Sequence, residues 1–203
     1  MRNETVVGML ERLAQGPRWI GDGAAQVNAR ERLAHHEAAH VVASLWERIP
    51  VESSTIVPNE HGDGATWYRD ILYGRNLEGG DASTSNRLRM ERLARGALAG
   101  PAASRRLGDA RSDATAPHGG DEAIALDMIR YFTATRRETE AYYKLLEIQA
   151  EQFLEKPGVW AQIVAVAEAL LAKETLTGKQ IRDIASRARR EAMKPEPRRL
   201  AET

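Results

Sequence analysis

Apolar and ligand-type residues recur at helical spacing from Asn28 onward: Leu33, His36, Glu37, His40, Val41, Ser44 and Leu45. That spacing predicts an amphipathic helix, with Asn28 able to cap it, Glu31 at the capping-box position and Pro50 ending it. Val51 to Val57 is rich in β-branched residues and stops at Pro58, and the turn-like Glu60-His61-Gly62-Asp63-Gly64 leads into Ala65-Thr66-Trp67-Tyr68. The two runs predict a short antiparallel pair. Gly, Asp, Asn and Ser between Arg69 and Ser85 read as a surface connection. A second helix is expected from about Asn86 to Leu107, bent or broken at Gly100-Pro101.

After a loop-like stretch from Asp109 to Gly120, Asp121 opens a third periodic segment whose buried face is expected to carry Ile124, Leu126, Met128, Ile129 and Phe132. The remainder reads as three helices. They are Glu138 to Glu155, a segment opened by Pro157 and running through Ala172, and Thr177 to about Met193 with Thr177 and Gln180 as a capping box. The fold class is therefore mainly α, with a small β-hairpin or short sheet next to the first helix. Residues 1–27 read as an N-terminal extension, 28–193 as one domain, and 194–203, with Pro195 and Pro197, as a disordered tail.

Composition narrows the chemistry. Twenty-nine basic residues balance 29 acidic ones over 203 residues, so no net field favours nucleic acid or an anionic membrane. The arginine-rich runs, Arg87 to Arg106 and Arg182 to Arg190, carry interspersed acids and read as solvated helix faces or subunit contacts. Cysteine is absent, so a transition-metal site must use His, Asp and Glu. The N-terminus has no signal-peptide pattern, and the most apolar segment, Val159 to Leu171, falls short of the roughly 20 residues a membrane span needs. No membrane insertion is expected, and the cytoplasm is the favoured compartment.

The segment His35-His36-Glu37-Ala38-Ala39-His40 then stands out. Residues four apart share a helix face, so His36 and His40 can hold one metal ion, and Glu37 stands where it can take a proton from a water the metal has acidified. His35 lies off that face and reads as a surface or supporting residue. The bland alternative is two histidines and a glutamate on a partly buried helix. A catalytic zinc needs a third protein ligand. His61, His118, Asp113, Asp121 and Glu122 are the candidates; Asp121 sits at a helix start that would hold it rigidly, but an acid there is equally a helix cap.

Several segments, in order, resemble the protease domain of the FtsH-type ATP-dependent zinc metalloproteases across roughly Ala29 to Ile184. His36-Glu37-Ala38-Ala39-His40 looks like the family's His-Glu-Ala-Gly-His. Ser54-Thr55-Ile56-Val57-Pro58 with Gly64-Ala65-Thr66 is similar to its strand pair, and Ala97-Leu98-Ala99-Gly100-Pro101-Ala102-Ala103 resembles its Leu-Gly-Gly-Arg-Ala-Ala helix. The run from Ala167 to Leu176 resembles its final helices and the Glu-Thr-Leu that follows. The family's third ligand is an Asp opening the next helix, a place occupied here by Asp121, with His118 and Glu122 in reserve. Ala39 replaces a family Gly, and Pro117-His118-Gly119 departs from the usual approach to the Asp.

The resemblance implies a zinc endopeptidase with Zn2+ held by His36, His40 and Asp121, Glu37 as base, and Ser54, Thr55, Ile56 and Val57 as an edge to which an extended peptide adds. No Gly-Lys-Ser or Gly-Lys-Thr phosphate loop occurs, and Gly178-Lys179 reads as a helix N-terminus, so no ATPase is expected. Expected substrates are peptides or loosely folded proteins, with a homo-oligomer or separate delivery partner possible and nucleic acid excluded. Trp46, Trp67, Tyr68 and Trp160 are expected in packing more than in a substrate cleft. Two rivals stand beside this reading: a non-catalytic metal-binding adaptor that keeps the fold, against which Glu37 argues, and a zinc peptidase of another lineage completed by His118 or another acid.

Overall fold

The computed structural model describes residues 28–58, 63–69, 71, 83–108 and 120–194. The first helix, α1 (Ala29–Trp46), opens through the expected capping box: the Asn28 side chain accepts from the Glu31 amide at 2.8 Å, and the Glu31 carboxylate accepts from the Asn28 amide at 3.1 Å. Every residue from Glu37 to Ser44 is buried. That is not the single apolar stripe of a surface helix; α1 is the core helix, covered by neighbours on several sides. Glu37 and His40 are thereby carried into the interior, where polar groups need partners.

Helix α2 (Thr84–Arg106) packs along α1. It runs unbroken through Gly100-Pro101, where a bend or break was expected, so the break does not occur. Pro101 forfeits its own amide bond, but the residues around it lie in the core: Leu98, Ala99 and Ala103 are fully buried and Ala102 nearly so. Packing against α1 outweighs the local penalty. Arg92 donates to the Glu47 carbonyl and Arg95 to the Glu47 carboxylate, tying the end of α1 to α2.

Helices α3 (Asp121–Arg130), α4 (Arg136–Glu155), α5 (Val159–Lys173) and α6 (Gly178–Ala192) follow. On α3, Leu126 and Ile129 are buried as expected, whereas Ile124 is exposed. Leu146, Leu154, Ile163, Val166, Leu170 and Ile181 complete a core shared by α4, α5 and α6 with α1. Trp46 packs edge-on against Phe153 and Trp160 stacks on His35. Among the described residues no helix is long and apolar enough to cross a membrane.

Strands β1 (Val51–Thr55) and β2 (Ala65–Tyr68) pair antiparallel as expected, with Ser54 opposite Thr66 and Thr55 opposite Ala65. A third strand, β3 (Thr175–Thr177), pairs on the other side of β1, giving the order β2-β1-β3. The Glu174 carbonyl draws it in, accepting from the Ile56 amide and the Thr55 hydroxyl. β1 is the central strand, and among the described residues both edges of Ser54 and Thr55 are taken, so these two are not an open edge for a substrate; Ile56 and Val57 follow the strand, and the Ile56 amide is bonded to the Glu174 carbonyl.

Thr177 and Gln180 form the expected capping box at the start of α6. Gly178, directly after it, sits so close to β1 that a Cβ there would fall 1.9 Å from the Val51 carbonyl oxygen. Helix propensity alone makes Gly-to-Ala favourable by about 1 kcal/mol, but the backbone overlap reverses the sign. Gly178→Ala is expected to destabilise the fold by about 1–3 kcal/mol or more, read as a lowered denaturant midpoint. An unchanged or raised midpoint would show that the sheet and α6 are not packed this closely.

Candidate metal centre

Because α1 is helical, His36 and His40 project from successive turns of one face, with ring centroids 4.7 Å apart. Asp121, the first residue of α3, reaches the same point from the opposite side. Its Oδ2 lies 2.8 Å from His36 Nε2 and 3.1 Å from His40 Nε2, and the two Nε2 atoms are 3.1 Å apart. These three residues are a group whose donor atoms can hold one metal ion.

The far sides of the imidazoles are anchored. His40 Nδ1 donates to the Gly96 carbonyl at 2.9 Å, which places its proton on Nδ1 and leaves the Nε2 lone pair facing inward. His36 Nδ1 is hydrogen-bonded to the Ser104 hydroxyl, also at 2.9 Å. Both supports come from α2. His36 Nε2, His40 Nε2 and the negatively charged Asp121 Oδ2 thus converge at about 3 Å, a point that favours positive charge, whether protons on the imidazoles or a metal ion.

The electrostatics carry the same sign. Burial alone would lower the His40 pKa, but the charge and hydrogen bond of Asp121, helped by Glu37 and the Gly96 carbonyl, raise it to about 9. Burial likewise works against the Asp121 carboxylate, yet the two histidines hold it well below the usual carboxylate range. The site draws in positive charge.

Gly100 supplies an independent test of whether a metal fits. A Cβ there would lie 2.3 Å from His40 Nε2 and 2.7 Å from His36 Nε2. Only a hydrogen at Gly100 lets α2 pass this close, so the inner edges of both imidazoles are kept clear of side-chain atoms from that helix. Edges of 2.8–3.1 Å between the donors are close to the roughly 3.3 Å expected around one tetrahedral ion. Two imidazoles and one carboxylate, with no thiolate, suit a divalent first-row metal and leave a position open.

Glu37 is buried beside the group, and a chain of hydroxyls aims it. Thr66 Oγ1 donates to Glu37 Oε2 at 2.7 Å, and Ser54 Oγ, 3.0 Å from Thr66 Oγ1, supplies the next bond. Ser54 therefore serves the site through Thr66, not through a substrate. Gly64 crosses so near that a Cβ there would come within 2.9 Å of Glu37 Oε1. A cleft of about 550 Å³ opens over His36, Glu37, His40 and Asp121, with Gly64, Ala65, Thr66 and Tyr68 along one wall. Burial pushes the Tyr68 phenol above its ordinary range, so it stays a neutral donor. Trp67, its neighbour on β2, faces out.

His35 turns away, its Nδ1 against the Glu31 carbonyl. Glu122 faces Arg105 instead of the metal group. His61, Asp113 and His118 lie outside the described residues. Thr66, Ser104, Gly96 and Gly100 went unassigned from sequence; the Gly96–Gly100 spacing in an alanine-rich helix is the one signal that marks a close helix approach, and nothing distinguishes Ser104 or Thr66 beforehand. No family model and no curated protein matches the chain.

Gly100→Ala is expected to abolish stoichiometric metal uptake, since the added methyl occupies the space between the two Nε2 atoms. Elemental analysis after metal loading and dialysis reads the outcome. One tightly held ion per Gly100→Ala chain would contradict the placement of the site.

Proposed function

We propose that the protein is a zinc-dependent endopeptidase, resembling the protease domain of FtsH-type enzymes in its motifs and acting without an ATPase of its own. The observation that carries this reading is the meeting of Glu37 with the His36–His40–Asp121 group in one open cleft. The metal group alone would serve a structural or binding role as well. An aimed, buried carboxylate beside it serves hydrolysis.

In this reading His36, His40 and Asp121 would hold the ion on the floor of the cleft. The chemistry it would supply there is acidification of a water and polarisation of the scissile carbonyl. Glu37 accepts the proton that water gives up as its oxygen bonds to the carbonyl carbon, and delivers it to the amine as the carbon–nitrogen bond breaks. The Thr66 hydroxyl, donating to Oε2, leaves Oε1 for that proton. Tyr68, a neutral donor in the wall, is placed to support charge developing on the substrate oxygen.

The substrate's backbone is assigned to β2, not β1. β2 is an edge strand among the described residues, and it forms the wall of the cleft next to Glu37. An extended segment can add there by main-chain hydrogen bonds, a mode that demands an unfolded or loosely folded chain. This supports peptides and unstructured proteins as the substrate class.

Hydrolysis of an unstructured protein by the zinc-loaded chain tests the proposal. Glu37→Gln is expected to lose about 10²–10⁴-fold in rate while keeping its metal, whereas Asp121→Ala loses metal and activity together. Wild type that holds zinc but cleaves none of a varied substrate set would favour the metal-binding adaptor; uptake of iron(II) in preference to zinc would point to the oxidative chemistry of the same donor set.

A further inference from the structure

Apart from the contacts of Asp121 itself with His36 and His40, the first turn of α3 has little to hold it in place. Its N-cap, Gly120, has φ 66° and no side chain to cap with. Its buried apolar residues, Ala125, Leu126 and Ile129, all lie beyond that turn, and Ile124 is exposed. The turn is instead attached through Glu122, next to Asp121, and what Glu122 faces is Arg105.

Arg105 stands in the last turn of α2, beside the Ser104 that supports His36. Its guanidinium nitrogens are shielded from solvent and none makes a hydrogen bond. Each faces a different carboxylate at longer range: Nη1 is 3.9 Å from Glu122, Nη2 is 3.6 Å from Glu147 and Nε is 3.4 Å from Glu151. Glu147 and Glu151 belong to α4. Glu147 has a second cation in Lys144 at 2.6 Å, whereas among the described residues Glu122 and Glu151 pair with Arg105 alone. One positive charge thus gathers three negative ones from two helices.

We infer that Arg105 is a positioning residue for the metal centre, fixing the distance from Asp121 to the two histidines by holding the adjacent Glu122 against α2. The inference rests on the metal-site reading of His36, His40 and Asp121. Removing the guanidinium leaves three carboxylates facing one another, and their repulsion acts on the one helix turn that lacks apolar anchorage. Glu122 moves, and Asp121 moves with it. A role confined to general stability would follow from the same ion pairs but would leave metal affinity alone.

Zinc affinity, measured by competition with a chromophoric chelator on the full chain, separates the two, with thermal stability recorded in parallel. Arg105→Met and Glu122→Gln are each expected to weaken zinc binding by about tenfold or more, the range found when groups supporting metal ligands are lost. Arg105→Lys, which restores the charge, is expected to recover most of the affinity. Glu151→Gln, which removes a carboxylate from the same guanidinium but not from α3, is expected to leave it unchanged. If Arg105→Met does not fold, Glu122→Gln decides alone. Lowered stability with wild-type zinc affinity in the folded variants overturns the inference. A wild-type chain that takes up no zinc overturns the metal reading itself, and is told apart because it needs no variant.

Discussion

Helix α2 lies so close to α1 that at Gly100 only a hydrogen fits between its backbone and the two imidazoles. The metal group depends on this approach. It brings the Gly96 carbonyl and the Ser104 hydroxyl within hydrogen-bond reach of His40 and His36, and so sets which ring nitrogen of His40 carries the proton. It also places Arg105 against the turn that carries Asp121. Alanines 94, 99, 102 and 103, all buried, are the small residues that line α2 where it meets the core.

A core helix carrying two polar ligands and a carboxylate is costly in isolation, since buried polar groups lose their hydration. Here each has a partner. Glu37 is met by Thr66, His40 by Gly96 and Asp121, and Asp121 by both histidines. The two Nε2 atoms and the Asp121 carboxylate meet at one point, which favours positive charge and where a metal ion could be held. Structure and chemistry are thus one arrangement: the same bonds that let the groups be buried also aim them.

Much of this could be read along the chain. The caps at Asn28 and Thr177, the helical spacing of His36 and His40, and the helix opening at Asp121 are local patterns, and local patterns survive folding. What failed depends on partners distant in sequence. Pro101 reads as a break because propensity knows nothing of the core on either side of it. Val51 to Val57 reads as an available strand because the three residues that cover its other edge, Thr175 to Thr177, lie some 120 positions away. Ser104 and Thr66 are ordinary hydroxyl residues until tertiary structure sets them beside His36 and Glu37. The third ligand was open between Asp121 and its rivals on spacing alone; the resemblance favoured Asp121, and the structure brings its carboxylate to both histidines.

The proposed chemistry depends on one zinc ion being held among His36, His40 and Asp121. Anomalous diffraction at the zinc edge, from crystals of the zinc-loaded wild-type chain, addresses it without reference to activity. A single strong peak is expected, bounded by His36 Nε2, His40 Nε2 and Asp121 Oδ2. No peak there, or a peak at which another residue such as His118 takes the place of Asp121, would contradict it.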